Sequence, residues 1–165
     1  MLKIATWNVN SLRVRLDHLL QWLEKEQPDV VALQEIKLTD DNFPGDAIRE
    51  AGYESAFTGQ KTYNGVATLC KYPFSNVIKA IPDYDDVQKR VLALTTKGIA
   101  IVNIYVPNGS EIGSSKYDYK LKWFSRLHPF VRKLSTQNNH VVVLGDFNIA
   151  PEDRDIHDPG EWAGK

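Results

Sequence analysis

Three apolar runs in this chain each end in side chains that could do chemistry. DVVALQE carries Glu35 directly past one run, HVVVLGDFN carries Asp146 and Asn148 past another, and the opening ATWNVN ends in Asn8 and Asn10. In open α/β sheets, ligands bind at the carboxyl ends of the strands. Two carboxylates delivered to one such edge suit a hard cation such as Mg2+, which takes oxygen ligands and keeps several of its waters. A carboxylate can also accept a proton from an attacking water. Amide oxygens can ligate a metal or orient water, and amide nitrogens can donate to a phosphate. Each residue taken alone also has a plain reading. An acid after a strand often just opens a solvated loop, Asn10 or Ser11 could cap a helix, and Asn148 could be a turn residue. The repetition at three strand ends favours chemistry.

Elements able to position these groups follow from the hydrophobic pattern. Residues 2–7 read as a strand. Leu16, Leu19, Leu20 and Leu23 follow at helical spacing, with Asn10 or Ser11 as the cap and Pro28 as the stop. Residues 29–34 form a buried-strand run. Residues 44–51 predict a short helix that Gly52 ends. Residues 53–57, 66–71 and 75–80 read as strands. Residues 90–95 and 99–105 read as two more, joined by a tight turn at Lys97-Gly98. A helix is expected over 117–134, kinked at Pro129, and a last strand over 140–145. The order predicts an α/β fold: a mixed sheet with helices on its outer side. After Asp146 the text becomes polar and loop-like, and it includes Trp162 with no evident partner. Trp7, Trp22 and Trp123 read as core or helix-face residues.

At 165 residues, with 42% hydrophobic and 25% charged side chains, the chain has the length and composition of one soluble domain. No run approaches the roughly 20 apolar residues of a membrane span. The opening MLKIATWNVN lacks a signal-peptide layout. The single cysteine, Cys70, rules out an internal disulfide and suits a reducing compartment, so a cytoplasmic location is expected. The net charge of -1 does not advertise a nucleic-acid partner. Any such partner must be met by local patches. The stretch from Lys116 to Lys133 holds six basic residues against one acid, Asp118, and reads first as a solvated helix face.

TWNVNSLR, LQEIK, QKTYNGVA, IYVPNG and LGDFNIAP occur in this order. As a set they resemble the endonuclease/exonuclease/phosphatase superfamily, and NSLR, YNGVA and VPNG resemble its exonuclease III branch of abasic-site endonucleases. The resemblance implies the N-terminal part of a four-layer αββα sandwich, and a single domain over residues 1–165 truncated at its C-terminus. It implies a divalent-metal-dependent phosphodiesterase of DNA repair, using Mg2+ or Mn2+. Such an enzyme incises double-stranded DNA at abasic sites and removes 3'-terminal nucleotides or blocking groups. By the same resemblance, Glu35 and Asn8 lie at the metal. Tyr105 contacts the scissile phosphate, Asp146 positions or deprotonates the attacking water, and Asn148 orients Asp146 and the phosphate. Asn10, where some members carry an aspartate, and Asn108 are implied as substrate contacts. Arg13 and Lys61 fall in loops that resemble DNA-backbone-contacting loops, and the helix near Lys120 is placed close to DNA. A full-length protein of this kind is expected to be a monomer without a membrane partner.

The same resemblance calls for a later aspartate-asparagine region and an S-D-H motif that supplies a phosphate-binding histidine. Neither occurs here. His18, His128, His140 and His157 do not replace that histidine, because they fall on a helix, before a proline, at a strand start and in an acidic loop. Weak or no activity is therefore expected of these 165 residues alone. Two alternatives stay open: a catalytically incomplete fragment that binds DNA or a partner, and a superfamily relative that hydrolyses another phosphodiester.

Overall fold

The computed structural model describes residues 1–158 and 160; Trp162 lies outside them. Strand β1 (Ile4–Asn8) leads into helix α1 (Leu12–Glu26) and strand β2 (Val30–Gln34). A short helix α2 (Gly45–Glu50) follows, then strands β3 (Glu54–Thr58), β4 (Val66–Cys70), β5 (Phe74–Ile78), β6 (Val91–Thr96) and β7 (Ile99–Tyr105). Helix α3 (Ser115–Gln137) and strand β8 (Val141–Asp146) complete the order. Among the described residues the strands form two four-stranded sheets, β1-β2-β4-β3 and β5-β6-β7-β8. Each is mixed: β1 runs parallel to β2 and β7 parallel to β8, and the other pairings are antiparallel.

Alternation along the strands sends side chains to two cores at once. Val31 and Leu33 of β2 face α1, where Leu12, Leu19 and Leu23 pack, while Val30 turns to the other side. Val91 and Ala93 of β6 face Trp123, Leu127 and Phe130 of α3, while Leu92 and Leu94 meet Val30, Val66 and Cys70. The layers are therefore helix, sheet, sheet, helix, as the αββα expectation requires. Coverage on both faces explains why DVVALQ and, apart from Asn103, the β7 sequence read as near-continuous apolar runs.

The terminal devices partly differ from expectation. Ser11 sits at φ 89° and makes no side-chain cap, and the Asn10 side chain is engaged elsewhere. Instead the Ser11 and Leu12 N–H groups donate to the carbonyls of Glu35 and Ile36, at 2.8 and 3.1 Å. Donors at the helix start, which lack intrahelical partners, are thus satisfied by the exit of β2. Helix α3 starts two residues earlier than expected because Ser114 caps it, its Oγ accepting from the Tyr117 N–H at 3.2 Å. It runs on as one helix through Pro129, which lies on the exposed side, where water can take over from the missing hydrogen bond. Lys97 and Gly98 both adopt positive φ, as a two-residue hairpin turn requires.

One polar bridge crosses the middle of the inter-sheet core. The buried Gln34 donates through Nε2 to Asn103 Oδ1 at 2.7 Å. Asn103 Nδ2 donates in turn to the Leu33 and Ala67 carbonyls at 3.1 and 2.9 Å, and Thr6 Oγ1 donates to Gln34 Oε1 at 3.2 Å. A buried amide must be satisfied, so this bridge tolerates one register between β2 and β7. Asn103→Ala leaves the Gln34 amide and two backbone carbonyls short of a partner. We expect it to lower unfolding free energy by about 2–4 kcal/mol, read from the midpoint of urea denaturation, while Asn138→Ala at the exposed end of α3 costs under about 1 kcal/mol.

Candidate active site

The two parallel pairs bring their carboxyl ends to one edge. Asn8 pairs with Gln34, so Glu35 follows beside it, and Tyr105 pairs with Asp146. Asn8 Nδ2 donates to Glu35 Oε1 at 2.9 Å and to Asp146 Oδ2 at 2.7 Å. Tyr105 donates its hydroxyl to the same Glu35 Oε1 at 2.9 Å. Four side chains from both sheets thus form one hydrogen-bonded cluster, half-buried and open to the edge.

Backbone geometry at the strand exits aims these groups. Glu35 and Lys37 both sit at φ 53°, a rare region for residues with a Cβ. Between them Ile36 turns fully into the core. Its N–H donates to the Gly65 carbonyl at 3.2 Å and that of Lys37 to the Asn64 carbonyl at 3.0 Å. Gly65, at φ 87°, is the glycine of YNGVA, and a Cβ there would stand 2.6 Å from Ile36 Cγ1. That glycine therefore permits the buried Ile36 and, through it, the outward Glu35. At the other exit Asn148, at φ 47°, returns its N–H to Asp146 Oδ1 at 2.9 Å and anchors its side chain on the Val106 carbonyl at 2.8 Å.

Asn8, Glu35, Tyr105, Asp146 and Asn148 are brought together. Asn8 Oδ1 accepts from the Asn10 N–H at 3.0 Å, and its nitrogen faces both acids, beside Glu35, the carboxylate expected at the metal. Asn8 acts as a bridge between carboxylates. Asn10 joins the periphery, its Oδ1 accepting from Lys37 Nζ at 2.5 Å. Asn108 stands on the exposed loop after β7, where its Oδ1 accepts from the Ser110 N–H at 2.8 Å. Arg13 and Lys61 are exposed and stand outside the cluster's hydrogen bonds, Arg13 in the first turn of α1 and Lys61 in the loop before β4. None of the four histidines belongs to the cluster's hydrogen bonds.

Two basic residues complete the cluster without having been singled out from sequence. Lys37 Nζ stands 3.0 Å from Glu35 Oε2. The lysine of LQEIK was visible as part of a motif, but only the paired left-handed residues place it on the same side as Glu35. Arg90 lies over the Tyr105 ring, 4.5 Å from its centroid, and donates to the Tyr105 carbonyl at 3.2 Å and to Gln88 Oε1 at 2.7 Å. It precedes a strand with no motif around it, so nothing local marked it.

The electrostatics follow from these contacts. Burial acts to raise the Glu35 pKa, but hydrogen bonds from Asn8, Lys37 and Tyr105 outweigh it and hold the carboxyl below its usual range. Burial and the Glu35 carboxylate push the Tyr105 phenol up to about 12, so it stays a donor at neutral pH. Among the described residues no group of three or more His, Cys, Asp or Glu side chains forms a cage for a metal. One ionised, partly exposed carboxylate with a second acid nearby nevertheless fits a hard divalent cation, which can be held by one or two carboxylates plus waters and substrate phosphate. Glu35 is the group that would hold it.

Comparison with known proteins supplies the context for this geometry. The model of the Endonuclease/Exonuclease/phosphatase family matches residues 5–164. The chain is 35% identical over 161 residues to exodeoxyribonuclease III of Haemophilus influenzae, covering 94% of this chain and 60% of that protein. It is 44% identical to a solved 3' phosphatase from Neisseria bound to a product DNA hairpin, with a TM-score of 0.94, covering 98% of this chain and 63% of that one. An AP endonuclease from Archaeoglobus fulgidus is 38% identical, with a TM-score of 0.91 over 98% of this chain and 63% of its own. The chain thus spans about three fifths of the length of these relatives.

Tyr105→Phe removes one of the donors that stabilise ionised Glu35. The Glu35 pKa should move up toward the ordinary carboxylate value, as followed by carboxyl-carbon NMR titration. A lowered folded pKa contributes stability above the unfolded value and loses it as pH falls through the folded one. The stability gap between wild type and Tyr105→Phe should therefore be present at neutral pH and narrow on acidification. An unchanged Glu35 titration would show that the phenol does not hold the carboxylate.

Proposed function

The chain belongs to the endonuclease/exonuclease/phosphatase family, and from that premise we propose that it carries the water-activating and metal-holding side of a DNA-repair phosphodiesterase. Its substrate on this reading is double-stranded DNA, incised at abasic sites or trimmed of 3'-terminal nucleotides and blocking groups. The observation that carries the reading is the single amide of Asn8 joining Glu35 and Asp146, with Tyr105 on the same Glu35 oxygen.

Hydrolysis requires water to attack phosphorus while the bond from phosphorus to the 3' oxygen breaks. Asp146 is the base. Its two oxygens are oriented by the Asn148 N–H and Asn8 Nδ2, and lone pairs remain to take the proton of the water. Asn8 supplies a donor rather than a third negative charge, which lets the two acids approach. Tyr105, protonated at neutral pH, donates to Glu35 and can turn its proton to a phosphate oxygen as negative charge develops there. A divalent cation on Glu35 supplies charge relief to the phosphate and the leaving oxygen when bound. On this reading Arg13, Lys61 and Asn108, all exposed, meet the DNA backbone, which fixes register without reading sequence. The reading includes a monomer and, from the single cysteine, a cytoplasmic location; that cysteine, Cys70, is buried, and burial pushes its thiol up to about 12, making it unreactive.

One observation favours a second reading, binding without turnover: no histidine stands in the cluster to meet the phosphate. Both readings are tested by one assay, an abasic-site duplex under single-turnover conditions with Mg2+, with Mn2+ and with EDTA. The expected result is slow incision 5' to the abasic site that EDTA abolishes and that Asp146→Asn reduces by about 10²-fold or more. Binding that persists in EDTA and weakens with salt, with no incision under either metal, would establish the binding reading instead.

A further inference from the structure

The loop between β5 and β6, residues 79–90, reaches both halves of the cluster through one side-chain oxygen. Gln88 Oε1 accepts from Arg90 Nε at 2.7 Å and from Asn64 Nδ2 at 3.3 Å. Gln88 lies in the stretch DYDDVQKR, outside every motif quoted above, and no step of the hydrolysis uses it.

Arg90 is the branch toward Tyr105. Its guanidinium lies 4.5 Å from the centroid of the Tyr105 ring and donates to the Tyr105 carbonyl at 3.2 Å, while its own carbonyl accepts from the Tyr105 N–H at 2.8 Å. A cation is attracted to the face of a tyrosine ring, but that attraction alone leaves it free to turn. A planar guanidinium is oriented by the acceptors at its edge. Among the described residues Gln88 supplies the side-chain acceptor for Arg90.

Asn64 is the branch toward Glu35. It is buried, and its carbonyl accepts from the Lys37 N–H at 3.0 Å, next to the Gly65 carbonyl that accepts from Ile36. The Asn64-Gly65 pair is gripped from its other side as well. The Gly65 N–H donates to the Lys89 carbonyl at 2.8 Å, and Asn64 Nδ2 also donates to Gln60 Oε1 at 3.2 Å. Gln88 is itself tethered. Its N–H donates to Asp86 Oδ1 at 2.9 Å, and Tyr119 of α3 donates its hydroxyl to Asp86 Oδ2 at 2.8 Å. Burial and the Asp86 carboxylate hold the Tyr119 phenol well above its usual range, so it stays a donor. Asp86 and Gln88 are half-buried, while Val87 between them is left exposed to water.

We propose that Gln88 is a positioning residue, whose side-chain oxygen sets Arg90 on the Tyr105 ring and steadies the Asn64 turn that carries the exit of Glu35. It thereby fixes from outside the cluster the two residues that share the bond from phenol to carboxylate. Its bearing on catalysis rests on the phosphodiesterase reading. Among the described residues only the oxygen of the Gln88 amide is used in hydrogen bonds, so a carboxylate can take its place.

The test compares wild type, Gln88→Leu, Gln88→Glu and, as a control on the same loop, the exposed Asp85→Asn, all in the 165-residue chain. In the wild type the Arg90 Nε–H should give a slowly exchanging NMR signal, shifted by the Tyr105 ring and with cross-peaks to its protons. Gln88→Leu should lose those cross-peaks and speed exchange of the Arg90 Nε–H and the Lys37 amide by about tenfold. Gln88→Glu should restore both, and Asp85→Asn should stay within about twofold of wild type. Single-turnover incision of the abasic-site duplex with Mg2+, at saturating DNA, should fall about tenfold or more in Gln88→Leu. It should recover in Gln88→Glu, with DNA affinity unchanged throughout. Thermal melting of each variant checks the fold. An Arg90 signal that Gln88→Leu leaves intact, or that Gln88→Glu fails to restore, overturns the proposal. So does a wild-type rate of incision in Gln88→Leu. The expected NMR changes in a wild-type chain that does not incise DNA would uphold the positioning and overturn the functional reading alone.

Discussion

Two carboxylates from two different sheets meet at one amide nitrogen. Asn8 Nδ2 stands between Glu35 and Asp146 and, with the hydrogen bond from Tyr105 to Glu35, ties together the reactive ends of both sheets. An aspartate in its place would add a third negative charge, and an alanine would leave the two acids facing each other across a gap. The rest of the architecture serves to hold that contact. The Gln34–Asn103 bridge fixes β2 against β7 one residue before Glu35 and two before Tyr105. The α1 N-terminus closes on the Glu35 and Ile36 carbonyls, and Asn148 closes on Asp146.

This arrangement explains why so much irregular backbone gathers at one edge. Asn10, Ser11, Glu35, Lys37 and Asn148 all adopt positive φ without being glycine. Such conformations persist where surroundings over-determine them, and they cluster at functional sites. Here the over-determination is visible. Ile36 is buried between two outward residues, its packing made possible by Gly65, and the flanking N–H groups are bonded to neighbouring strands. The strain is local and the packing that sustains it is not.

Much of this was legible in the sequence. The strand runs and the leucine stripe of α1 were written in hydrophobic periodicity. The strand-end residues Asn8, Glu35, Asp146 and Asn148 could be found because a polar group directly after a buried run has few places to point. Other features required tertiary structure. Helix α1 was expected to be capped by Asn10 or Ser11, since those residue types usually do so, but the β2 exit satisfies the helix more directly. The donor role of Asn8 depends on which end of its amide meets the acids, and no sequence pattern encodes that. Arg90 and Lys120 are distant in sequence from the residues they serve. Arg90 reaches Tyr105 across a hairpin, and Lys120, on the helix that the resemblance put close to DNA, donates to the Asn148 carbonyl at 2.6 Å from within a run that otherwise reads as a solvated face.

The separation of the cores has a consequence for how the molecule fails. Asn8 and Glu35 are flanked in the chain by Trp7, Val9 and Ile36, which pack under α1, whereas Tyr105 is flanked by Ile104 and Val106, and Asp146 ends the strand of Val141 and Val143, which pack under α3; the Tyr105 ring itself faces the core between the sheets. A packing defect beneath either helix displaces one half of the cluster and leaves the other in place. On the proposed function, damage in the first half would disturb metal holding, and damage in the second would disturb water activation. Substitutions far from the edge should therefore sort into two kinetic phenotypes according to which helix they lie under, with the amide of Asn8 as the joint at which the two kinds of injury meet.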